Sequence, residues 1–212
     1  MSDATHGPRE RRRRKEARPQ EILGAALAEF AANGYAATRL DDVARRAGIS
    51  KGTIYLYFES KEELFKEVVR RSVVPQLENL RAAVDGFSGS VEDFIRTRFK
   101  EFELRLIESE VRFIFRLLVA EGHKFPDLTW FYFDEVIGRG MAVLRRLVAR
   151  GVAQGEFRPT ALDEVPQLLV APALLGLLWK ALFDRYRPLD LERMLETYVD
   201  LILNGLKAER RP

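Results

Sequence analysis

The chain has 212 residues, 35 Lys/Arg against 32 Asp/Glu, and no cysteine. Without thiols there is no disulfide, no thiolate metal site and no cysteine nucleophile, which suits a reducing cytoplasm. The longest uncharged apolar run, residues 168–179, is 12 residues long. A membrane span needs about 20, so the expectation is a soluble, cytoplasmic protein with no membrane partner.

The charge is uneven. Residues 1–60 hold 11 Lys/Arg and 8 Asp/Glu, while the remainder balances at 24 of each. The excess positive charge therefore lies at the N-terminal end, as phosphate binding would ask. No apolar stretch follows the charged N-terminus, so it does not read as a secretory signal. Residues 1–17, with the basic run 11–15, read as a disordered tail, either simply solvated or lying along phosphates.

A first helix is predicted from about residue 19 to 33, with Ile22, Leu23, Ala26, Leu27 and Phe30 as its apolar stripe. Gly34 follows as a left-handed stop, which brings Phe30 and Tyr35 together. Thr38 and Asp41 are spaced as a capping box for a short second helix, striped by Leu40, Val43 and Ala44 and closed by Gly48. Ser50 should cap a third helix. At 100° per residue Ile54 and Phe58 fall on its core side, and Gly52, Thr53, Leu56 and Tyr57 on the other. Two short helices joined at 48–50 form either an ordinary helical hairpin or a helix-turn-helix, whose second helix enters the DNA major groove.

The ordered matches Phe30-Ala-Ala-Asn-Gly-Tyr35, Thr38, Val43-Ala44, residues 47–55, Tyr57-Phe58 and Lys61-Glu62-Glu63-Leu64 closely resemble the DNA-binding domain of the TetR (tetracycline repressor-like) family over about residues 18–70. The resemblance implies an N-terminal three-helix DNA-binding domain, here 18–65, and a larger helical effector-binding and dimerisation domain, 66–212. By resemblance and by the face assignment, Lys51, Gly52, Thr53 and Leu56 face the groove. Thr38, Tyr57 and Lys61 are expected on phosphates, Arg39 on a base or phosphate, and Tyr55 at the flank. The groove set has no Arg, Asn or Gln for bidentate readout, which leaves methyl contacts and DNA shape.

Ser60 and Glu63 make a second capping box. It opens a helix that Pro75 bends rather than stops, running to about Val84. Further helices are expected from Ser90 to about 109, over 111–120, from 126 to about 152, over 161–184, and from Asp190 on. The fold class is all-α, with about nine helices. The last two carry more than one apolar side, which suggests a two-fold dimer, and the family pairs through these same helices.

Chemistry is sparse. The two histidines, His6 and His123, fit no metal or catalytic motif. No enzyme activity, cofactor or metal is expected. The aromatics Phe99, Phe102, Phe113, Phe115, Trp130, Phe133 and Trp179, with His123, are either ordinary core or the lining of a cavity for a small, largely apolar effector; the family implies the latter. Two functions follow. One is a homodimeric regulator, most simply a repressor released from a palindromic double-stranded operator by an effector. The other is a small-molecule binding or sequestering protein with a vestigial DNA-binding half.

Overall fold

The computed structural model describes residues 8–207, and side chains from Pro19 on except that of residue 161. Among the described residues there are nine helices and no strand. They are α1 (Pro8–Ala37), α2 (Leu40–Arg46), α3 (Lys51–Tyr55), α4 (61–86), α5 (91–108), α6 (Val111–Glu121), α7 (126–153), α8 (Gln167–Leu182) and α9 (Leu191–Leu206). None is long and apolar enough to cross a membrane.

Helix α1 begins at Pro8, not near residue 19. Residues 8–18 are mostly Arg, Lys, Glu and Ala, good helix formers behind a proline at the start. Their lack of apolar periodicity reads as disorder, while their helix propensity favours winding on from the helix that follows. Residues 1–7 of the expected tail, His6 among them, lie outside the described residues, as do the side chains of 11–15. Gly34 takes φ 76° and breaks α1's regular winding. Phe30 and Tyr35 then stack with ring centroids 5.8 Å apart.

Side-chain caps appear where short polar residues precede apolar runs. Ser60 accepts from the Glu63 amide at 3.1 Å, although Glu63 returns its bond to the Glu59 amide rather than to Ser60. Asp190 accepts from the Arg193 amide at 3.0 Å. Ser90 begins α5, and Glu156 from the loop after α7 completes that end by accepting from Ser90, Val91 and Glu92. Helix α4 bends at Val73, with Pro75 in the first turn of its second segment, where a missing N–H costs nothing. Helix α8 starts at Gln167, six residues later than expected, because Pro166 occupies its cap position and only residues 161–163 form a short turn before it.

Pro172 lies inside α8 and supplies no N–H to the Leu168 carbonyl. The Tyr198 hydroxyl of α9 donates to that carbonyl instead, so the defect becomes a tie between the last two helices. Nearby, Glu103 of α5 is 0% exposed and neither carboxyl oxygen has a hydrogen-bond partner. The Ala173 backbone and the Tyr198 phenol lie near it, yet burial dominates and pushes its pKa up to about 8.

One hydrophobic cluster joins α1–α4 to α6 and the start of α7: Phe30, Ile54 and Phe65 share it with Val111, Ile114, Leu117 and Leu128. Two others fill the space among the second segment of α4 and helices α5, α7, α8 and α9.

Candidate nucleic-acid interface and ligand cavity

The turn between α2 and α3 forms as its residues dictate. Gly48 takes φ 65°, and the Ser50 hydroxyl accepts from the Thr53 amide at 3.2 Å. Helix α3 is shorter than expected, since the chain tightens after Tyr55 and ends in a turn at 56–57. Ile54 is 0% exposed and Phe58 is buried, while Leu56 is 84% exposed. Lys51, Gly52 and Tyr55 are also exposed, Thr53 and Tyr57 are half-buried, and Arg39 is exposed ahead of α2. A helix pinned by one isoleucine and one phenylalanine thus presents a cation, a glycine, a phenol and an aliphatic group to solvent.

Two of the expected DNA contacts turn inward. Thr38 does not cap α2, because the chain stays extended through Arg39, which holds the cap position. The Thr38 hydroxyl instead donates to the Gly34 carbonyl at 2.7 Å, inside the core. Asp41 is therefore no partner in a capping box; one of its oxygens pairs with Lys51 at 2.8 Å. That hydrogen bond and charge raise the Lys51 pKa.

Lys61 is half-buried and donates to the carbonyls of Tyr35 at 2.6 Å and Ala36 at 3.0 Å. Glu121, the last residue of α6, accepts from the amides of the same two residues at 2.9 and 2.8 Å. Desolvation lowers the Lys61 pKa and Glu121 partly opposes it. An opposite-charge pair therefore grips both polar edges of the Tyr35–Ala36 backbone, just past the Gly34 break near the end of α1. Arg116 of α6 adds a hydrogen bond to the Ala31 carbonyl. Nothing local marks Glu121 and Arg116 in the sequence, since each acts 85 or 86 residues away.

The opposite face of α6 lines a cavity of 350 Å³ bounded by α4, α5, α6, α7 and α8. Of the expected aromatics, Phe102, Phe115 and Phe133 reach it. The others do not. Phe99 is buried in the core behind Phe102, their centroids 6.0 Å apart. Phe113 packs beneath the guanidinium groups of Arg112 and Arg116. His123 is exposed on the turn after α6. Trp130 is 66% exposed and stacks on Phe133. Trp179 spends its indole N–H on the Arg187 carbonyl at 2.7 Å. Most of the rest of the lining, Leu77, Leu106, Met141 and Leu177 among it, is aliphatic and therefore indistinguishable from core in the sequence. Gln76, Thr129 and Tyr132 are its polar residues. Among the described residues no cluster of His, Asp or Glu could hold a metal.

Residues 22–68 match the model of bacterial regulatory proteins of the tetR family. Residues 97–204 match that of the AefR-like transcriptional repressor C-terminal domain. The HTH-type transcriptional repressor KstR2 of Mycolicibacterium smegmatis is 26% identical over 191 residues, covering 89% of this chain and 90% of its own. The regulator FadR of Bacillus subtilis, solved with stearoyl-CoA, superposes with TM-score 0.70 at 18% identity over 88% of this chain and 98% of its own. A protein of Saccharomonospora viridis solved with choline gives TM-score 0.74 at 24% identity over 92% and 100%. The chain belongs to the tetR family of bacterial regulatory proteins, and is a helix-turn-helix transcriptional regulator rather than an enzyme.

Proposed function

We propose that the protein is a cytoplasmic, homodimeric repressor that binds a palindromic operator and leaves it when a small molecule fills the cavity of its C-terminal part. The observation that carries the DNA reading is α3, whose Ile54 and Phe58 are buried beneath an outward Lys51, Gly52, Tyr55 and Leu56. Thr53 and Tyr57 flank that surface, and Arg39 stands at the start of α2. Lys61 and Thr38 shape the surface from within. The reading divides the chain by function at residues 18–65 and 66–212, although the packing crosses that line.

Pairing is supported by α8, where Leu168, Leu175 and Leu182 recur every seven residues and are exposed with Leu174, Leu178 and, on α9, Leu201. An apolar stripe of this kind on two adjacent helices suits an isologous interface. It would set two recognition helices about 34 Å apart, one turn of duplex. Helix α6 offers the coupling. Val111, Phe115 and Leu118 touch the cavity, and Glu121 at its end holds the Tyr35–Ala36 backbone. A ligand that favours a different seat for α6 shifts the head by its difference in affinity for the two states.

Selection of duplexes from a random library, at a stated salt concentration because phosphate contacts dominate affinity, tests this reading. An enriched palindrome is expected. Binding without any enriched motif would refute it and favour the sequestering function. The variant pair Lys51→Ala, Tyr57→Ala should weaken binding to all sequences.

A further inference from the structure

The 350 Å³ cavity adjoins a second one. Gln76, Leu80 and Phe102 line both it and an adjoining chamber of 660 Å³. The two differ in chemistry. The inner chamber is aliphatic and aromatic, whereas Asn79, Arg98, Arg105, Glu108 and Ser109 line the outer one. Phe102, at the junction, has Arg98 one turn before it and Arg105 one turn after it on α5. Three to four residues is the spacing that puts side chains on one face.

The two arginines are differently engaged. Arg105 pairs with Glu101 at 3.0 Å, an exposed contact on one helix that binds weakly and yields readily. Arg98 has no carboxylate within ion-pair distance among the described residues. It lies in Ile95–Phe99, a π turn within α5; such turns concentrate at functional sites. An exposed arginine is ordinarily just solvated. Here two of them straddle an aromatic residue shared by an apolar cavity and a polar one, and that juxtaposition asks for a molecule with two ends.

We propose that the effector is an amphipathic anion, with an apolar chain in the inner chamber and a carboxylate- or phosphate-bearing head between Arg98 and Arg105 in the outer one. This rests on reading the inner chamber as the effector site. Guanidinium groups pair with both oxyanions through parallel N–H donors, and the two arginines outnumber Glu108, the one carboxylate in the lining of the outer chamber.

The test uses the full chain and four compounds with one tail: dodecyl phosphate, dodecanoate, dodecanol and dodecyltrimethylammonium, titrated calorimetrically below their aggregation concentrations at fixed ionic strength. At least one of the two anions should bind ten-fold or more tightly than the alcohol, and the cation most weakly; the preferred anion identifies the head. The double variant Arg98→Gln, Arg105→Gln should bring the anions to the affinity of the alcohol and leave the alcohol unchanged. Equal binding of all four, or an anion preference that survives the double variant, overturns the head-group assignment while the inner chamber stands as the ligand site. If none of the four binds, the effector reading of the inner chamber falls and the proposal with it.

Discussion

Replacing Glu103 by glutamine should stabilise the protein at neutral pH, by an amount that grows with pH. The carboxyl is enclosed by α5, α8 and α9 without a hydrogen-bond partner, and burial lifts its pKa from 4.5 to about 8. An acid with a raised native pKa keeps its proton in the folded state over a range where the unfolded chain has released it. Below pH 4.5 both states are protonated and there is no penalty. Between 4.5 and 8 each pH unit lowers stability by about 1.4 kcal/mol; above 8 the penalty is constant. At pH 7 it has reached about 3 kcal/mol. The facing Tyr198 phenol stays neutral throughout, its pKa pushed up to about 12 by burial and then by Glu103. Glutamine keeps the shape and cannot titrate. The stability difference, variant minus wild type, should be under about 1 kcal/mol at pH 5, rise to about 3 kcal/mol at pH 7 and level off above 8. Urea denaturation at fixed protein concentration reads it, since the apparent stability of a dimer depends on concentration. Parallel pH profiles for the two proteins would refute the reasoning and mean that the carboxylate is paired or solvated.

Three other outcomes are expected. Glu121→Ala leaves the Tyr35 and Ala36 amides without their acceptors and should cost about 1–3 kcal/mol by denaturation, with weaker operator binding at matched folded fraction; unchanged operator affinity would remove α6 from the coupling route. Tyr198→Phe uncaps the Leu168 carbonyl left free by Pro172 and should cost about 0.5–1.5 kcal/mol, whereas combining it with Pro172→Ala, which restores an N–H donor, should recover most of that loss. Leu175→Glu places a charge in the exposed α8 stripe; sedimentation should then show monomers, and a dimer that persists would move the interface elsewhere.

The features legible in the sequence are those decided within a turn or two of chain. Ser50, Ser60, Ser90 and Asp190 cap because a short oxygen side chain reaches the amide three residues on, and Gly34 breaks α1 and Gly48 closes α2 because only glycine accepts positive φ cheaply. Thr38 has the same local credentials and fails, since the Gly34 carbonyl one turn back takes its hydroxyl. Phe99 and Phe102 share a helix and a residue type, yet one is core and the other a cavity wall; which is which depends on helices that arrive much later in the chain. Lys61 reads as a surface cation until Glu121, 60 positions downstream, supplies the other half of its environment.

The hydrophobic cluster that runs from Phe30 and Phe65 into Val111, Ile114 and Leu128 bears on how such regulators can be recombined. A chimera that joins a foreign DNA-binding head at residue 65 would transplant half a core and leave α6 facing strangers. The transferable unit is the head together with the α6 surface it rests on, with Arg116 and Glu121 matched to the new backbone. Grafts that carry only the helix-turn-helix should be read as tests of that seam before they are read as tests of DNA specificity.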